Sequence, residues 1–271
     1  MLFENFPKIS CLMVTSKNRF DFFVKSFKCY EDQTYPNKEL VIVNEGPKEY
    51  QKKISNHVAH RDDVRFVFLD GWYSLGALRN ISISLSFGDL FVQWDDDDFN
   101  TPERLSVQYK FLSNQPQAKI CYLTEQLHYY FNHKMIFWED WKNHLSNGST
   151  PHSLIPGTGM AWRKHFNNRY PSSGKWCSSG EDSVLSGKLC EIEKQVVLLE
   201  GYGCMQVYSY HGDNVWNETH HRNLSKYRSN YSEKLIKEKR TICKTLDYLK
   251  LGENIKVMGR EGMAFVYYAK K

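Results

Sequence analysis

Apolar residues fall along the first hundred positions in blocks of two kinds. KISCLMVT (Lys8 to Thr15), ELVIVNEG (Glu39 to Gly46), VRFVFLD (Val64 to Asp70) and DLFVQW (Asp89 to Trp94) are nearly continuous apolar runs of strand length. Between them apolar positions recur at helical spacing, as Phe20, Phe23, Phe27 and Tyr30 do in RFDFFVKSFKCYEDQ, and again in LGALRNISISLS (Leu75 to Ser86). A more polar helical stretch covers Lys48 to Ala59, and Pro36, Asn37 and Gly46 turn the chain between blocks. Strands apolar on both faces, alternating with helices, predict an α/β fold with a central, mostly parallel sheet flanked by helices. Ligands of such sheets bind beyond the carboxyl ends of the strands.

The pattern changes further along. Thr101 and Pro102 suit the N-cap and first residue of a helix over PERLSVQYKFLSN. The aromatic stretch from Ala118 to Glu139 predicts antiparallel strands or a hairpin. A Gly/Ser-rich loop, YPSSGKWCSSGED, leads to a short helix at Ser183 to Leu189, and QVVLLE and CMQVYSYH read as strands. Ser232 to Leu251 is helical by pattern, with GMAFVYYA a candidate last strand. No internal repeat interrupts this, so the expectation is one catalytic-sized domain over residues 1–225 with a carboxyl-terminal helical extension over 226–271.

Composition narrows the classes. The 271 residues are 41% hydrophobic and 25% charged, an ordinary globular balance. No apolar run reaches the roughly 18 residues of a membrane span, and MLFENFPKIS lacks the basic start and apolar stretch of a signal peptide. Seven cysteines (Cys11, Cys29, Cys121, Cys177, Cys190, Cys204, Cys243) are scattered and never spaced as a CxxC pair, which predicts reduced thiols in a cytoplasmic protein. The sequons at Asn147 and Asn217 are then chance matches, and a peripheral membrane contact stays open. The net charge of +5 favours anionic ligands weakly, without the basic stripe of a nucleic-acid binder.

The candidate chemistry centres on GDLFVQWDDDDFNTPERL, where a buried strand runs into four aspartates. In an extended segment Asp95 and Asp97 share one side and Asp96 and Asp98 the other. Two same-side carboxylates suit Mg²⁺ or Mn²⁺; the alternative is a solvated acidic turn that caps the next helix. Glu181 and Asp182, behind a Gly/Ser loop at a helix start, can take a proton from a bound hydroxyl, or simply favour a helix N-terminus. His211 is a candidate third metal ligand, although a lone histidine is more often structural. Arg79 and Asn80 sit where a helix start can hold a phosphate, and Trp176 offers an aromatic face to a sugar. His220, His221, Arg222, Lys226 and Arg228 form a basic stretch, read as a solvated loop or a diphosphate-gripping lid.

The order of these motifs resembles the family 2 glycosyltransferases, nucleotide-sugar enzymes of the GT-A (Rossmann-like) fold. ISCLMVTSKNRFDFFVKSFKCYEDQTYPNKELVIVNEGP is similar to their opening, GALRNISISLSFGDLFVQWDDDDFNTPERL to their Arg-Asn helix and Asp-x-Asp strand end, and GTGMAWRKHF with GEDSVLSGKL to their acceptor-side strand and Glu-Asp motif. The likeness covers about residues 8 to 215. It implies that Asp95 and Asp97 hold a divalent metal with the donor's ribose and diphosphate, aided by Asp96, and that His211 completes the metal site. Asp182 would be the general base with Glu181 as its acceptor-side neighbour, and Thr15, Asn44, Glu45 and Arg79 would line the nucleotide pocket. Trp176 would meet the acceptor, a glycan or another hydroxyl compound. The family carries two acids before the glycine of the second strand where this chain has Asn44 and Glu45, so uridine is the expected base but less firmly set. The reaction implied is inverting transfer from a nucleoside-diphosphate sugar. Two rivals share parts of the pattern: a non-catalytic sugar-binding domain, and a nucleotidyltransferase attacking an α-phosphate.

Overall fold

In the computed structural model, residues 6–15, 19–143, 153–166, 169–190 and 195–269 are described. The apolar runs become β1 (Ile9–Thr15), β2 (Lys38–Asn44), β3 (Val64–Phe68) and β4 (Leu90–Gln93), and the helical spacings become α1 (Phe20–Glu31), α2 (Lys48–Val58) and α3 (Leu75–Leu85). The later elements are β5 (Phe99–Asn100), α4 (Arg104–Ser113), β6 (Ile120–Leu123), β7 (Glu125–Tyr130), β8 (Met135–Asp140), β9 (Met160–Trp162), α5 (Glu181–Cys190), β10 (Val196–Leu199) and β11 (Gln206–Tyr210). The chain closes with α6 (Glu218–Arg228), α7 (Ser232–Lys237), α8 (Lys239–Leu249), β12 (Ile255–Gly259) and β13 (Gly262–Tyr267).

Two compact units emerge. The first comprises Met1–Asp97, Leu105–Tyr122 and Pro156–Val197; the second comprises Asp98–Arg104, Leu123–Ile155 and Leu198–Lys271. The division does not follow a boundary at residue 225, because the carboxyl-terminal strand β12 pairs in parallel with β8 and so shares its sheet.

The first unit is built on a seven-stranded sheet in the order β10-β6-β9-β4-β1-β2-β3. β1 pairs in parallel with β2 and β4, and β2 with β3, while β9 runs antiparallel to β4 and β6. Every residue of β1 and β4 is buried, as a strand covered on both faces requires. α1 buries Phe23, Phe27 and Tyr30 along one side, the apolar stripe that its sequence spacing predicts. Ser74 caps α3 by accepting from the Ala77 N–H.

The second unit carries a six-stranded sheet in the order β13-β12-β8-β7-β11-β5. β7 and β8 form the expected antiparallel hairpin from Glu125↔Asp140 to Tyr130↔Met135. Three expectations change here. The stretch from His220 to Arg228 is not a loop but part of α6, whose N-cap Asn217 accepts from the His220 N–H, so the hydrophilic sequence hid a helix that buries His221 and Ser225. The helix over Ser232 to Leu251 is two helices, interrupted at Glu238, whose N–H bonds back to Lys234 O. α4 begins at Arg104 rather than Pro102, because Thr101 O accepts from the Arg104 N–H in a turn ahead of the helix.

Candidate functional site

The aspartate run leaves β4 at Gln93, and side-chain bonds from α1 fix where it goes. The Trp94 N–H donates to Leu12 O, its fully buried indole donates to Ser26 O at 3.2 Å, and Ser26 Oγ donates to Asp95 O at 2.8 Å. The main chain then turns at Asp96 and Asp97 instead of staying extended. This corrects the expectation that alternate aspartates face alternate sides. Asp96 and Asp97 both meet one residue, Arg19, whose Nη2 lies 2.7 Å from Asp96 Oδ1 and whose Nη1 donates to Asp97 Oδ2. Asp98 parts from its neighbours and belongs to the second unit, where it accepts from the Ser209 N–H at 3.0 Å.

Arginines therefore offset the like charges within the chain itself. Burial and the neighbouring Asp97 charge push the Asp96 carboxyl up to about 7, with Arg19 pulling the other way. Asp95 accepts from Arg79 Nη1 at 3.1 Å and from Gln93 Nε2 at 2.8 Å.

Arg79 also reaches the second motif, since its Nε donates to Glu181 Oε1 at 2.8 Å. Burial works against its charge, but Asp95 and Glu181 more than compensate and raise its pKa. Burial raises the carboxyl pKa of both Glu181 and Asp182, opposed in each by Arg79. Gly157 lies beside both motifs: a Cβ there would press on Gln93 Nε2 at 3.2 Å and sit 3.8 Å from Asp95 Oδ2 and 3.9 Å from Asp182 Oδ2. A glycine thus spares Gln93 a close contact next to both carboxylates. Asn80 pins the wall of this region, donating to Tyr170 O and accepting from the Tyr170 N–H, and Tyr170 Oη donates to Gln93 Oε1 at 3.3 Å.

The remaining candidates are placed as follows. Thr15 ends β1 and its hydroxyl is 2.9 Å from Tyr50 Oη. Asn44 is fully buried, and its amide is spent on the chain's own backbone, donating to Thr15 O and accepting from the Gly46 N–H. Glu45 accepts from the Tyr73 N–H at 3.0 Å with one oxygen, and burial raises its pKa. Trp176 is 43% exposed and its ring covers Gly180, whose φ of +78° is the backbone state a side chain resists. His211 belongs to the second unit, where its Nδ1 accepts from the Asp213 N–H at 3.3 Å. Asn147 lies outside the described residues.

The Asp95 and Asp97 oxygens are the hard donors a divalent ion prefers, yet among the described residues no three His, Cys, Asp or Glu side chains are grouped to hold a metal. No helix of the described residues is long and apolar enough to cross a membrane. Arg19, Tyr170, Gln93 and Gly157 had been given no role from the sequence. Arg19 and Gly157 carried a signal only as parts of the stretches ISCLMVTSKNRFDFF and GTGMAWRKHF that resemble the family.

Comparison with known proteins bears on the family and the fold. The model of "Glycosyl transferase family 2" matches residues 11–166, more than half of the chain. A putative colanic acid biosynthesis glycosyl transferase, WcaA, of Escherichia coli strain K12 is 33% identical over 116 residues, covering 42% of this chain and 40% of its own. An uncharacterized glycosyltransferase of Methanocaldococcus jannaschii is 28% identical over 119 residues, 40% of this chain and 38% of its own. The chain thus matches well under half the length of these relatives. Among solved structures, S. aureus TarS 1–349 in complex with UDP superposes with a TM-score of 0.56 at 13% identity, over 89% of this chain and 80% of that one. Its complex with UDP-GlcNAc gives 0.56 at 12%, over 88% and 66%. At such identities the likeness establishes the fold, which is the GT-A arrangement of a central sheet flanked by helices.

Proposed function

The chain belongs to glycosyl transferase family 2, and on that premise we propose that it transfers a sugar, with inversion, from a nucleoside-diphosphate sugar to an acceptor hydroxyl. The observation that carries this reading is the Arg79 bridge, which joins Asp95 of the aspartate run to Glu181 of the Glu-Asp motif. Two carboxylate systems of different task are thereby held together, with Gly157 beside both Asp95 and Asp182.

Asp182 is the general base. A carboxyl whose pKa is raised by burial is a better proton acceptor than an ordinary one, provided it stays ionised at the working pH. It takes the proton of the acceptor hydroxyl as that oxygen attacks the anomeric carbon, and the bond to the diphosphate breaks on the opposite face. Glu181, held by Arg79, orients the acceptor side. Glu45 keeps one oxygen for the base, and we assign uridine, in keeping with the UDP-bound forms of TarS. Asn44 serves the pocket by fixing the ends of β1 and β2. Asp95 and Asp97 would hold Mn²⁺ or Mg²⁺; the ion would offset the negative charge that develops on the departing diphosphate. Trp176 is the proposed acceptor contact.

The test is hydrolysis of a panel of nucleotide sugars by the whole chain, with Mn²⁺ and with EDTA, scored by release of the nucleoside diphosphate. Slow metal-dependent release from one donor is expected. Neither release nor binding of any donor by calorimetry would overturn the reading in favour of a domain that has lost turnover.

A further inference from the structure

Arg228 ends α6 in an unusual environment for a cation. Its guanidinium lies over the Trp141 ring, 3.4 Å from the centroid, and its Nε and Nη1 are buried with no hydrogen-bond partner. The indole Nε1–H of Trp141 is likewise buried and unpartnered. The backbone leaves little freedom to search for partners: the Trp141 N–H donates to Thr124 O, the Ser229 N–H to Ser225 O, and the Asn230 N–H to Trp138 O. The carboxylate whose charge Arg228 feels is Glu139, but that group is occupied by His128, Gln126 and Ser225.

Both orphaned groups are donors only. Burying them unpaired is costly unless an acceptor arrives, and an unsatisfied buried group of this kind points to a missing ligand. A guanidinium edge stacked on an indole suits an oxyanion, because two oxygens of one phosphate or carboxylate can accept from both. His220 feels the same cation: burial first, and the Arg228 charge next, lower its pKa.

We propose that the second unit binds an oxyanion, a phosphate or a carboxylate, on Arg228 and Trp141. On the glycosyltransferase reading, we assign that anion to the acceptor, because the donor's diphosphate is already assigned to Asp95 and Asp97.

The experiment uses the ¹⁵N-labelled whole chain titrated with inorganic phosphate, and separately with acetate, at constant ionic strength. Readouts are the Trp141 indole N–H resonance, assigned by Trp141→Phe, and the His220 titration. A saturable shift of the indole resonance and an upward move of His220 are expected. Both are lost in Arg228→Met, weakened in Arg228→Lys, and kept in Lys226→Met, a neighbouring exposed cation. No shift in the native chain, or an equal shift in Arg228→Met, overturns the site. The relative response to phosphate and acetate separates the two anion classes. Donor hydrolysis distinguishes the two readings: Arg228→Met leaving it intact supports the acceptor assignment, whereas its loss assigns the anion to the donor's diphosphate and overturns that assignment. Phosphate binding by a chain that hydrolyses no donor would support the site while removing the enzyme.

Discussion

Arg79 and Arg19 in the first unit each meet two carboxylates, whereas Arg228 in the second unit meets none among the described residues and rests on an indole instead. The contrast extends beyond arginine. All but two of the buried side-chain polar atoms without a partner among the described residues, the exceptions being Arg19 Nε and Asp96 Oδ2, belong to the second unit. They include His128 Nε2, Ser209 Oγ and both ring nitrogens of His221. In the first unit Arg19 and Arg79 close charge networks around Asp95, Asp96, Asp97 and Glu181. The second holds one fully buried closed pair, His128–Glu139 at 2.7 Å, beside buried polar atoms without partners among the described residues.

The largest expected effect falls on the closed network. Asp182→Asn removes the base while leaving both Arg79 ion pairs, to Asp95 and Glu181, in place, and transfer should drop by about 10²–10⁴-fold. Donor binding by calorimetry should survive; unchanged transfer would dismiss Asp182 as the base.

Breaking the bridge tests whether the network also carries stability. Arg79→Met strands Glu181 in a buried site and should cost about 3–5 kcal/mol in chemical denaturation. Adding Glu181→Gln should recover part of that loss, because it removes the stranded charge. If the double variant is no better than the single one, the bridge is not what Arg79 contributes.

The closed pair of the second unit should declare itself through pH. His128, with bonds from Ser225 and Gln126, outweighs burial and brings Glu139 down to about 2 from an ordinary 4.5. A carboxyl depressed in the folded state stabilises it above pH 4.5, and that contribution fades as pH falls toward 2. The full difference is on the order of 3 kcal/mol. Glu139→Gln should flatten this part of the stability curve, measured by urea unfolding between pH 2 and 5; an unaltered slope would move the acid sensitivity elsewhere.

The smallest effect concerns the base pocket. Asn44→Ala loses two hydrogen bonds to backbone and should cost about 1–3 kcal/mol, with donor-base preference unchanged. Glu45→Gln should instead alter preference for uridine nucleotides at little cost in stability. A reversal of these two outcomes, read from competition binding of nucleoside diphosphates, would make Asn44 the reader of the base.

Much of the first unit was legible from its sequence because buried parallel strands and amphipathic helices write their periods within windows of about ten residues. The four early strands and three early helices, the aspartate run at a strand end and the Glu-Asp pair at a helix start are local facts. α6 escaped because its hydrophilic residues carry little apolar period; the clue was Asn217 followed by an acidic first turn, a capping signal rather than a hydrophobic one. Partner choice could not be local at all. Arg19 finds Asp96 across 77 positions and Arg79 finds Glu181 across 102, so nothing in either window names the other. The sequence by itself determined which charges sit at strand and helix ends. Only the tertiary structure decided that arginines would offset them, that a turn would set Asp96 beside Asp97, and that Asp98 would join a different sheet, because these outcomes depend on distances between segments and on the water excluded between them.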